Sequence, residues 1–161
     1  MQEQNDMRGR LKLCLVDRTG QVVHQQNPKN RIVKSGRQLV AQLFAGVPGT
    51  PPTQVTEMGV GTDGTPPNDE QTNLLTPRAP RKPIGAPAYE ELIENEGTDN
   101  AIKRIRTILT TEFDFGEANG ADPLREAAIF NTDGIMYNRV VFEPVTKTDA
   151  FKLTLLWEIV F

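Results

Sequence analysis

The chain has 161 residues, 37% of them hydrophobic, a formal net charge of −3 and a single cysteine. This is enough apolar content for one domain with a real core and too short for a second independent one. The mixed, slightly acidic charge argues against binding bare nucleic acid or an anionic membrane. Cys14 alone excludes an internal disulfide, and no run of about 18 apolar residues is present to span a bilayer.

The first six residues, Met-Gln-Glu-Gln-Asn-Asp, have neither the cationic nor the apolar region of a secretory signal, so synthesis and retention in a cytoplasm are expected. From Arg10 to Asp17, Leu11, Leu13 and Leu15 alternate with Lys12, Cys14 and Val16. With Asp17-Arg-Thr-Gly20 and the following Gln21-Val-Val-His24, this predicts a hairpin whose turn needs Gly20 at positive φ. Cys14 is then a small strand residue rather than a nucleophile. Ser35 is the predicted N-cap of one short helix carrying Leu39, Val40, Leu43 and Phe44 at helical spacing, stopped by Gly46 and Pro48, its apolar stripe packing on the domain's own sheet.

Nine of the twelve prolines fall between Pro48 and Pro87, where periodicity survives only over Gln54–Val60. That composition predicts a loop with one embedded strand. Within it Pro77, Pro80, Pro83 and Pro87, interleaved with Arg78, Arg81 and Lys82, predict an extended arm of polyproline type with a basic edge. The glutamates that follow, Glu90, Glu91, Glu94 and Glu96, read as a solvating patch, or as a partner for such an arm from a neighbour.

Beyond them the chain is β again. Ile105, Thr107, Leu109, Thr111, Phe113 and Phe115 share one face of a long strand. Leu124 to Asn131 and Ile135 to Glu143 form a hairpin about Thr132-Asp-Gly134. In the last eleven residues Phe151, Leu153, Leu155, Trp157, Ile159 and Phe161 alternate strictly, the signature of a strand with one buried face whose end is tied into a sheet or an interface. About seven strands, one short helix and long connections predict a mainly β fold, an antiparallel β-sandwich (jelly-roll-like) with a long Pro-rich loop. The expectation is a single domain over 1–161, with 62–100 a Pro/Gly-rich loop or arm excursion.

Chemical signatures are sparse. Gly59-Val-Gly61-Thr-Asp-Gly64 matches G-x-G-x-x-G after a strand, but Thr65-Pro-Pro67 breaks the helix that would have to receive a phosphate. The glycines are read as permitting a sharp bend out of the strand. His24 is the only histidine and Ser35 the only serine, which leaves multi-histidine zinc sites and a Ser-His-Asp triad without support. Adjacent carboxylates such as Glu90 with Glu91 point apart in a strand, so they do not form a glycosidase pair. Asp63, Asn68, Asp69 and Glu70 lack the ligand spacing of a calcium loop. No catalytic residue, cofactor or metal is expected.

Two blocks carry a resemblance. Val55-Thr-Glu-Met-Gly-Val-Gly-Thr-Asp-Gly-Thr-Pro-Pro-Asn-Asp-Glu-Gln-Thr-Asn-Leu74 resembles a pattern of tailed-bacteriophage virion proteins, tail-collar and fibre-associated ones among them. The second block, Glu126, Ile129-Phe130, Asp133-Gly134, Arg139, Pro144 to Lys147 and Leu153 to Phe161, is similar to the C-terminal pattern of small phage structural proteins. Together they cover a third to two fifths of the chain, and the proline arm between them departs from the pattern. The resemblance implies a non-enzymatic virion structural protein, either a tail, collar or baseplate component or a capsid decoration protein. It would be made in the host bacterial cytoplasm and assembled with other virion proteins and copies of itself, without nucleic acid or membrane. Pro77, Arg78, Pro80, Arg81, Lys82, Pro83, Pro87 and Phe161 are the expected partner-binding residues. The alternative is a carbohydrate- or receptor-binding β-sandwich module, for which Tyr89 is the aromatic of the long central loop.

Overall fold

Strict alternation at the C-terminal end places that strand in the middle of the molecule. In the computed structural model, which describes residues 7–161, β10 (Phe151–Val160) lies between β1 (Arg8–Asp17) and β7 (Ile102–Phe113) and is hydrogen-bonded to both. Leu153, Leu155, Trp157 and Ile159 are buried on its inner face. The register with β1 runs unbroken from Arg8↔Val160 to Asp17↔Phe151, so strands far apart in sequence close one sheet. The remaining elements are β2 (Val22–Gln26), β3 (Arg31–Ile32), α1 (Lys34–Ala45), β4 (Val55–Gly61), β5 (Pro77–Pro83), β6 (Ala88–Glu94), β8 (Leu124–Asn131) and β9 (Met136–Val145).

All strand pairs are antiparallel and form two five-stranded sheets, β2-β1-β10-β7-β6 (sheet A) and β3-β9-β8-β4-β5 (sheet B). The core lies between them, with Leu11, Leu13, Leu109, Phe113 and Trp157 from sheet A against Met58, Val60, Ile129 and Val140 from sheet B. The mainly β sandwich with one helix is thus observed. Sheet B is buried on its other face as well, where Phe130, Ala128 and Met136 form a second cluster with Leu74 and Val33. The reading of Met1–Asp6 lies outside the described residues.

Several local expectations differ. Two parts of the stretch 62–100 are paired backbone: β5 adds to the edge of sheet B and β6 to the edge of sheet A. A proline-rich segment pairs here because β5 is an edge strand, where a missing N–H can face solvent, and a register shift opposite Met58/Val60, with Ala79 at φ 62°, absorbs the rest. Together with the two-residue β3, these edges bring the strand count to ten rather than seven.

Ser35 does not cap α1, because the helix starts two residues earlier, at Lys34, with Val33 at the cap position. Docking on β9 overrides the local preference: the Ser35 hydroxyl donates to the Met136 carbonyl at 2.6 Å. A Cβ on Gly36 would stand 1.9 Å from the Tyr137 carbonyl oxygen, so only glycine allows this approach. Gly20 takes φ 85° and Gly134 φ 83° in the two hairpin turns, as expected.

Trp157 is fully buried and its Nε1–H has no hydrogen-bond partner among the described residues. Trp157→Ala should therefore cost about 3–5 kcal/mol in urea unfolding, whereas Trp157→Phe keeps much of the ring contact and drops an orphaned donor, so its loss should be well under half of that. Removal of Leu153–Phe161 strips the centre of sheet A, and no soluble folded protein should be recovered by size exclusion.

Candidate functional site

The two sequence blocks meet at one buried ion pair. Arg139 on β9 and Glu126 on β8 are both fully buried, and Arg139 Nε donates to Glu126 Oε2 at 2.8 Å. The rest of the guanidinium is spent on the loop between β4 and β5: Nη1 donates to the Thr65 carbonyl at 2.7 Å and to Gln71 Oε1 at 3.2 Å, and Nη2 to the Asp63 carbonyl at 3.3 Å. The carboxylate in turn accepts the backbone N–H groups of Leu75 and Thr76 at 3.1 and 2.8 Å. A buried charge pair survives only with its remaining donors and acceptors satisfied, and here the loop backbone does that. The loop is thereby strapped over the outer face of sheet B.

The G-x-G-x-x-G match finds its physical reason in the same place. A Cβ on Gly61 would lie 2.3 Å from Glu126 Oε1 and 2.4 Å from the Thr76 carbonyl oxygen. Gly59 and Gly61 stay within β4, so the bend expected of them is replaced by room for the buried carboxylate. The acidic loop residues are equally committed: Asp63 Oδ1 accepts from Thr65 N–H at 2.7 Å, and Asp69 accepts from Arg31 and Arg37 at 2.9 and 3.2 Å. Hydrogen bonding to Thr65, with the Arg139 charge adding to it, holds the Asp63 carboxyl below its ordinary range; the Arg31 hydrogen bond does the same for Asp69. Among the described residues no group of three or more His, Cys, Asp or Glu side chains could hold a metal ion.

Lys147, the last residue of the second block's Pro-x-x-Lys turn, is also fully buried. Its ammonium donates to the Asp114 carbonyl at 2.9 Å, Asn119 Oδ1 at 2.8 Å and the Thr148 carbonyl at 3.1 Å. Burial lowers its pKa from the usual lysine value, against the pull of Asp114, Glu117 and Asp149.

The expected partner-binding residues are divided by the fold. Pro77, Arg78, Pro80, Arg81, Lys82 and Pro83 lie on β5, at the edge of sheet B, while Phe161 follows β10 in sheet A, where its backbone bonds to Ile105 in both directions. The basic edge is used within the chain: Arg81 stacks over the Phe130 ring at 3.6 Å, Lys82 reaches both carboxylate oxygens of Glu117 at 2.8 Å, and the Arg78 guanidinium occupies space that only glycine at 120 leaves open. The glutamates of β6 pair across to β7 as well, Glu90 with Arg106, Glu91 with Lys103 at 3.3 Å and Glu94 with Arg104 at 3.2 Å. Lys82 and these glutamates thus have ion-pair partners within the chain.

Pro87 and Phe161 do converge, on a groove of about 380 Å³ between α1 and the inner face of sheet A where that sheet overhangs sheet B. Leu39, Val40 and Leu43 form one wall and Tyr89, Ile159 and Phe161 the other, with Tyr137 between; none of the lining residues is charged. The Tyr137 hydroxyl is buried without a hydrogen-bond partner among the described residues, and that burial raises its pKa. Next to the groove Phe44 is 92% exposed, and Ile105 is also exposed. The apolar stripe of α1 thus serves its own sheet only through Leu39 and Val40. The missed signal was its width: two adjacent rows, 39/43 and 40/44, exceed what one sheet contact covers.

In comparisons with known proteins, no family model, no curated protein and no solved structure matches this chain. The fold and surface define a β-sandwich strapped internally by buried cations, with an apolar groove whose lining carries no charged side chain.

Arg139→Met leaves Glu126 buried and unpaired, so stability should fall by about 3–5 kcal/mol in chemical denaturation, and Arg139→Met with Glu126→Leu should recover a large part of the loss. A deficit equal to the sum of the single variants would contradict the pairing.

The pH response follows from the depressed carboxyls Asp17, Asp63, Asp69 and Glu117. A lowered folded-state pKa adds stability that is complete above the ordinary values, 3.8 for Asp and 4.5 for Glu, and is lost as pH falls through the depressed ones. The melting temperature, followed by circular dichroism, should change little just above pH 5 and drop progressively below pH 4. Asp63→Asn should make that acid limb shallower.

Proposed function

We propose that this protein is a non-enzymatic structural subunit of a tailed-bacteriophage virion, placed in the tail, collar or baseplate or on the capsid as a decoration protein. The observation that carries the reading is the apolar end, where Phe44, Leu43, Tyr89, Ile105 and Phe161 remain exposed beside an open groove with no charged side chain in its lining. Contiguous apolar surface of this kind mark interaction sites in folded proteins, and a subunit buried in an assembly covers it with its neighbours. The resemblance of the two sequence blocks to phage structural proteins gains physical coherence from the buried Arg139–Glu126 pair, which joins the first block to the second. Assembly then proceeds by burial of the apolar end, with the edge of β5 left as a poor template for strand addition because of its prolines and cations.

Quantitative mass spectrometry of purified particles tests this directly. The chain should be present at a fixed ratio to the major capsid protein, hundreds of copies for a decoration protein and tens or fewer for a neck, tail or baseplate part. Its complete absence from particles would overturn the reading.

A carbohydrate- or receptor-binding module is the second reading, favoured by Tyr89, which is 68% exposed at the groove's lip. Glycan-array binding that disappears in Tyr89→Ala would establish it; an array with no Tyr89-dependent signal would remove it.

A further inference from the structure

Within the structural-subunit reading, on which this inference rests, we infer that the apolar end is the interface of an isologous dimer, in which the Phe44 side chain of each copy enters the groove of the other. Shape provides the first argument. Phe44 projects from the last turn of α1, and the groove opens beside the same helix, so knob and hole sit together on one patch. A two-fold axis through such a patch satisfies both copies at once, each giving a knob and receiving one.

Charge provides the second argument. A two-fold axis sets every group near its own counterpart, so like charges confront one another wherever the face is charged. The outer face of the β6–β7 hairpin carries Glu90, Arg106 and Glu94, and the β5 edge carries Arg78, Arg81 and Lys82. The groove lining contains no charged side chain, and the charges on the same strand face, Glu91 and Lys103, are paired with each other at 3.3 Å, so self-apposition there confronts few like charges.

Area provides the third. Phe44, Tyr89 and Phe161 are 92%, 68% and 44% exposed. At roughly 200 Å² per aromatic side chain, two copies bury on the order of 800 Å² from these residues alone. The groove walls, Leu43 and Ile105 raise this toward the roughly 1,200 Å² at which small stable interfaces begin. Interfaces of that size belong to the weak, transient class.

The test is sedimentation velocity of the full chain from about 1 to 100 µM, beside Phe44→Arg. Arginine in the last turn suits the helix dipole and the site is exposed, so the variant should keep the circular dichroism spectrum and melting temperature of the parent. The parent should dimerise and Phe44→Arg should weaken the dissociation constant about 30-fold or more. A photoreactive amino acid at Gln54, which lines the groove, should crosslink to residues 42–46 of a second, isotopically labelled copy. A parent that stays monomeric at 100 µM, or a dimer that Phe44→Arg leaves intact, overturns the inference. Particle mass spectrometry separates the two failures. A monomer found in particles defeats only the dimer, whereas a dimer absent from particles defeats the virion reading and keeps the interface.

Discussion

The Arg139–Glu126 pair is the constraint around which the second half of the fold is arranged. Two charges held out of water are costly, and only near-complete hydrogen bonding makes their burial tolerable. Here the partners are backbone groups of 63–76, a segment with no regular structure of its own. The loop cannot leave without stripping both charges of their remaining hydrogen bonds. Its position sets where the chain enters β5, which begins one residue after Thr76, and hence how β5 pairs with β4. Glycine at 61 is the complementary requirement, since any side chain would collide with the carboxylate. The pair therefore contributes less to net stability than to the choice of one loop conformation.

Lys147 repeats the device at another corner. Its ammonium gathers acceptors from Asp114, Asn119 and Thr148, tying the loop after β7 to the turn before β10. The two fully buried cations lie on β9 and in the connection that follows it, and both reach for irregular backbone. The long connections of this chain are thus held by a few polar anchors, while the strands are held by the apolar core. The polar anchors of α1, Ser35 and Arg37, are in its first turn, and toward its last turn apolar side chains reach the surface.

The strands were legible because a half-buried strand imposes period two. Leu153, Leu155, Trp157 and Ile159, or Leu11, Leu13 and Leu15, show it without interruption. Hairpin turns were legible through Gly20 and Gly134, whose positive φ other residues resist. Pro77–Pro83 was not legible as a strand, since proline breaks the pattern and only its place at a sheet edge makes the pairing acceptable. Ser35 misled for a different reason: its hydroxyl found a tertiary acceptor on β9 in place of a local one.

The amino-acid sequence by itself determined the β class, the single short helix and the inward-facing residues, because those depend on periodicity and on the conformational limits of Gly and Pro. It also contained the residues of both buried cations, yet nothing in their spacing distinguishes a buried arginine from a solvated one. Only the tertiary structure decided that Glu126 and Arg139 meet under the loop, that β5 and β6 fall in different sheets, and that Phe44 stays outside. These outcomes depend on contacts between segments tens of residues apart, where desolvation and close packing are set by what the rest of the chain brings into place.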